Sequence, residues 1–170
     1  MFREMRRKNQ MLSDEACLAI LKESTSGVLA VSGDDGYPYA VPLSYVYENG
    51  SIYFHCALCG HKLDAVRKNE KASFCIIAKD QVVPEKYTTY YQSIIAFGKI
   101  RIPESETEKR EALEKLAQKY APDIPLKQQY AEIDRFFDSC QILELKIGHL
   151  TGKQAKELAA GDKPGAKMKV

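Results

Sequence analysis

No uncharged stretch of this sequence comes near the ~18 residues that cross a bilayer as a helix, and the basic opening at residues 1–8 is not followed by the apolar core of a secretory signal. An excess of one charge is missing too, since 25 Lys and Arg stand against 23 Asp and Glu for a net charge of +2. That balance gives no case for a nucleic-acid or membrane partner. Nor do the cysteines form an even set. There are five (Cys17, Cys56, Cys59, Cys75, Cys140), three of them inside apolar runs, which suits reduced thiols better than a disulfide framework. Neither Gly-x-Gly-x-x-Gly nor Gly-Lys-Ser/Thr occurs at a strand-to-helix junction, which excludes a Rossmann fingerprint and a P-loop. These absences predict a soluble, cytoplasmic protein whose ligand is small.

What is present suits one domain. With 170 residues, 45% of them hydrophobic, the chain can bury one core but not two. The domain is expected over residues 1–158, followed by a disordered basic tail at 159–170 that holds Gly161, Pro164, Gly165 and three lysines. Ser13-Asp14-Glu15 caps a helix reaching about Glu23. The texture then changes to strands with hairpin turns: residues 28–31, a turn at Asp34-Asp35-Gly36, residues 39–47, a turn at Glu48-Asn49-Gly50, and residues 52–55. Further strands are predicted over 72–78, 90–102 with a bulge at Gly98, and 141–147, six in all. A short helix over 62–68, a helix opened by the Ser105/Glu108 capping box and another near Ile133 complete the pattern. Helices at the ends of a run of strands, not between every pair, predict a mainly β fold: a small antiparallel barrel with flanking helices.

Residues 52–63, Ile-Tyr-Phe-His-Cys-Ala-Leu-Cys-Gly-His-Lys-Leu, carry the strongest functional signal. They read as a strand, a glycine turn and a helix start holding Lys62. Unpaired N–H groups and the positive end of the helix dipole make such a start an anion site, and a lysine there points to phosphate. Ser44, His55, Gly60 and His61 add small size and donors where hairpin and helix meet. Pro38 and Pro42 cannot donate ladder hydrogen bonds, so their strand bends or lies at an edge, and Val41, Pro42, Leu43 and Ser44 become a candidate wall. Blander readings compete: Lys62 as an ordinary exposed lysine, His55 as a strand-end residue. His55, Cys56, Cys59 and His61 also invite a zinc or dithiol reading. Adjacent strand residues face opposite ways, however, and no second paired motif exists, so no metal site is expected.

Five segments together (Arg6-Arg7-Lys8; Gly36-x-Pro38-Tyr39-x-Val41-Pro42-Leu43-Ser44; Ile52 to Leu63; Ser93-Ile94-x-Ala96-x-Gly98; Leu150-Thr151-Gly152-Lys153) resemble the nitroimidazole-resistance flavoproteins. These belong to the pyridoxamine 5′-phosphate oxidase-like, FMN-binding split-barrel superfamily. The resemblance implies a six-stranded antiparallel split barrel of Greek-key type, working as a homodimer with FMN between subunits. It places Lys62 and His61 at the FMN phosphate with Ser93 as a helper, and Val41, Pro42, Leu43 and Ser44 along the isoalloxazine edge. Cys56, Ala57 and Gly60 lie in the same cofactor-binding segment, and His55 faces flavin and substrate as the catalytic residue. The expectation is an FMN-dependent oxidoreductase acting on a small aromatic or heteroaromatic molecule. The rival is a non-enzymatic flavin or heme module, or a sensor, using the same groove.

Overall fold

A computed structural model describes residues 2–159; the predicted disordered tail lies, but for Ala159, outside the described residues. Ser13 opens helix α1 (Asp14–Glu23) by accepting the Ala16 N–H at 3.2 Å. Strands β1 (Ser26–Ser32), β2 (Pro38–Ser44), β3 (Val46–Glu48) and β4 (Ser51–Ala57) follow, then α2 (His61–Lys68) and the long strands β5 (Lys71–Val83) and β6 (Thr88–Arg101). The Ser105 hydroxyl caps α3 (Glu106–Tyr120); α4 (Leu126–Phe136), β7 (Cys140–Gln154) and the short α5 (Lys156–Ala159) complete the described chain. At the β3–β4 hairpin Asn49 and Gly50 take φ values of 46° and 85°, the left-handed pair that a two-residue turn requires.

All pairings are antiparallel, in the order β2-β1-β5-β6-β7-β4-β3. The two edge strands are consecutive in the chain, with only Tyr45 between Ser44 and Val46. In a flat sheet those edges would stand six strand spacings apart, about 29 Å at ~4.8 Å each. A one-residue link therefore forces the sheet to curl until its edges meet, and the result is a barrel. The strand expected over 39–47 is broken at Tyr45, which is why the described residues form seven strands where six were predicted.

Tyr120 of α3 fills the break. Its hydroxyl oxygen accepts the Tyr45 N–H at 2.9 Å, and its O–H is directed at the carbonyls of Tyr45 (2.8 Å) and Thr25. The Tyr45 ring is fully buried, and its own hydroxyl donates to Leu21 O at 2.8 Å, so burial raises its pKa. Inside the barrel Tyr45 and Phe54 both meet Phe74 edge-on at 5.0 Å. Outside it, Val46, Ala112, Leu116 and Ile142 form a second small cluster that seats α3, with Tyr53 beneath. Tyr53 thus lies on the opposite face from Tyr45. The predicted irregularity at Gly98 is present: the β6–β7 register shifts between Phe97 and Gly98, and a side chain at Gly98 would collide with the Lys146 carbonyl.

Candidate functional site

Strands β3 and β4 pair from Glu48↔Ser51 to Val46↔Tyr53 and then part. Continuing that register would set Ser44 opposite His55 and Pro42 opposite Ala57, but no ladder forms there. The barrel is split along this seam, with β2 bonded only to β1 on one side and β4, beyond Tyr53, only to β7 on the other. The prolines explain the open edge. In an antiparallel pair every second residue turns its N–H away from its neighbour, and Pro38 and Pro42 share that parity, so β2 can pair with β1 at no cost while nothing zips the other side.

Alternation sorts the predicted wall residues. Pro42 and Ser44 are exposed on the outer face, as are His55 and Ala57 across the seam, whereas Val41 and Leu43 turn inward against the core and Cys56 is buried in it. Val41 and Leu43 thus offer the seam backbone, not side chains. Burial pushes the Cys56 thiol pKa up, with the nearby Lys62 charge pulling the other way, so this cysteine is not an activated thiol.

At the end of β4 the chain turns through Gly60, whose φ of 122° few other residues adopt, and enters α2. The Gly60 carbonyl takes the Leu63 and Asp64 N–H groups at 2.9 and 3.2 Å, no side chain caps the helix, and the N–H groups of His61 and Lys62 have no acceptor within it. The His61 ring stacks on Tyr39 at 4.0 Å, and its Nε2 lies 3.5 Å from Asp34. Lys68, at 2.8 Å, holds the Asp34 carboxyl below its ordinary pKa, with a smaller contribution from His61. The carboxylate beside the helix start therefore has its own cation.

Ser93 lies on β6, paired with Ile77 and Lys153, three strand places from β2 and two from β4. The described residues contain no group of three or more His, Cys, Asp or Glu placed to hold a metal ion, and no helix long and apolar enough to cross a membrane. Two features went unread in the sequence. One is Tyr120 at the seam, whose helical spacing marks only a packing face; the other is a cavity of about 700 Å³ that opens beside His55 under α3 and α4.

The family model described as pyridoxamine 5′-phosphate oxidase matches residues 13–154. The chain belongs to that family. No curated protein matches it significantly. Among solved structures, a candidate 5-nitroimidazole antibiotic resistance protein from Bacteroides thetaiotaomicron superposes with a TM-score of 0.72 at 20% identity, covering 90% of this chain and 96% of that one. A protein from Mycobacterium smegmatis described as binding FAD and heme gives 0.72 at 20% identity over 96% and 89% of the two chains. A FAD-binding protein from Mesorhizobium loti gives 0.59 at 21% identity over 86% and 97%. At these identities the structures share the split-barrel fold of the family with this chain.

Proposed function

We propose that the chain binds a flavin along the seam and works as an FMN-dependent oxidoreductase on a small aromatic or heteroaromatic molecule. The observation that carries this reading is the convergence of two unzipped strand edges, β2 and β4, on the uncapped start of α2 beside Lys62. A phosphate needs N–H donors and one cation at the helix end, and a flat ring needs a long exposed edge with small side chains, here Pro42, Ser44 and Ala57. Membership of the family and flavin-binding proteins among the structural neighbours support a flavin. The single helix start favours FMN, with one phosphate, over a dinucleotide.

When bound, the flavin supplies electron transfer. Lys62 and the N–H groups of His61 and Lys62 hold its phosphate, the β2 edge orients its ring, and His55, exposed at the seam, orients the substrate or gives it a proton. A second copy of the chain is expected to complete the groove. The outer face of β1 and β5 shows Val28 and Ile77 to solvent, Ile77 at 66% exposure, beside an open groove of about 900 Å³ lined by Phe2, Phe97 and Ile147. Native mass spectrometry of the purified protein tests both parts. The expected species is a dimer of twice 19.2 kDa with two FMN; a flavin-loaded monomer would refute the shared groove, and a protein that takes up no flavin would refute the reading itself. The non-enzymatic alternative predicts bound flavin that a nicotinamide donor and a nitroaromatic acceptor cannot cycle.

A further inference from the structure

The cavity of about 700 Å³ between the end of β4 and helices α3 and α4 shares His55, Cys56 and Ala57 with the seam but includes neither Lys62 nor the start of α2. Its floor is the outer face of β4 at His55 and Ala57, so it opens directly onto the seam. Its walls are Leu113 and Ala117 from α3, and Ile124, Ile133 and Phe136 from the connecting loop and α4. Ile124 and Phe136 stand 44% and 47% exposed, an unusual state for large apolar side chains that line one concave surface. The volume falls within the usual range for small-molecule sites, ~300–1,000 Å³.

The walls are held in place. The buried Gln129 side chain donates from Nε2 to the carbonyls of Ala121 (3.0 Å) and Ile124 (2.7 Å), tying the α3–α4 connection to α4, and Pro122 and Pro125 stiffen the link. Charge then selects the guest. No Lys or Arg lines the cavity, and its one carboxylate, Glu132, has Arg135 at 3.7 Å. An anion entering it would give up water and meet no lysine or arginine in return. Phe136 and the His55 ring provide flat faces for a planar guest.

We propose that this cavity binds a small, uncharged, largely apolar aromatic molecule, and that phosphorylated or carboxylated aromatics are excluded. As the reaction partner of a flavin this guest rests on the reading above; its binding to the cavity does not. The consequence is specific: although the family takes its description from a phosphorylated amine, this chain is built for a neutral partner.

Isothermal titration of the full chain, with and without added FMN, tests this with nitrobenzene as the neutral probe and 4-nitrobenzoate as its anionic relative. Nitrobenzene should bind at least tenfold more tightly than 4-nitrobenzoate. Ala117→Phe, which fills the cavity, should weaken nitrobenzene at least tenfold and leave FMN binding unchanged. Ile124→Lys, at an exposed position that tolerates charge, should shift the preference toward 4-nitrobenzoate even if Ala117→Phe fails to fold. Equal affinity of the wild type for both probes, or unchanged nitrobenzene binding in the variants, would overturn the proposal. Nitrobenzene binding that both variants lose, in a protein that takes up no FMN, would uphold the cavity and discard the seam reading.

Discussion

His55 and Cys59 are four residues apart and carry opposite expectations. His55 is exposed where seam and cavity meet, while Cys59 is an exposed free thiol that belongs to no metal-holding cluster among the described residues. His55→Ala should lower turnover with a nitroaromatic acceptor by about 10²-fold, the scale of a lost general acid, without unfolding the protein. Cys59→Ser should leave turnover and flavin content intact. Steady-state assays of the two variants separate the readings, and loss of activity in the Cys59 variant alone would revive a dithiol role. At this scale the sequence was legible where alternation alone decides: that His55 and Cys56 face opposite ways follows from strand geometry. It was not legible for Val41 and Leu43, because which parity faces the core depends on which side of β2 the barrel closes.

Among the elements, α3 has more to do than its amphipathic pattern suggests. Its last residue, Tyr120, satisfies the backbone at the break between β2 and β3, so Tyr120→Phe leaves the Tyr45 N–H without its acceptor. The expected cost is about 1–3 kcal/mol, a fall of roughly 2–12 °C in melting temperature by calorimetry. An unchanged melting temperature would mean that water replaces the hydroxyl freely. At its other end Glu108 bonds Arg101 at 2.5 Å, and Arg101 also reaches the buried Glu144, which fastens the helix start to β6 and β7. Arg101 hydrogen bonding holds the Glu108 pKa below its ordinary 4.5. The stabilisation is therefore present above pH 4.5 and is lost as acid protonates the folded-state carboxyl. Melting temperature should fall on acidification below about pH 4.5 by more in the wild type than in Glu108→Gln. Both helix caps were legible from Ser13 and Ser105 with their third-neighbour partners. The β5–β6 hairpin beyond Ala78 was not, since Lys79-Asp80-Gln81 is polar on both faces and has strand structure only because β6 pairs with it.

For the whole molecule, closure of the sheet is the decisive event. Hairpin signals and helix placement gave the barrel, but the seam proposed as the binding site arises from β2 and β4 coming side by side without pairing, a long-range meeting that no local pattern encodes. The same holds for the cavity under α3 and α4, whose walls come from three parts of the chain. We propose that this seam, closed at one end by the start of α2, holds a flavin phosphate. Flavin-fluorescence titration of the wild type and of Lys62→Ala tests it most directly. Saturable binding of one FMN per chain is expected in the wild type, and a dissociation constant at least tenfold higher in the variant for the loss of one charge-assisted contact of roughly 1.5–3 kcal/mol. Equal affinity in both proteins, or no binding in either, would contradict it.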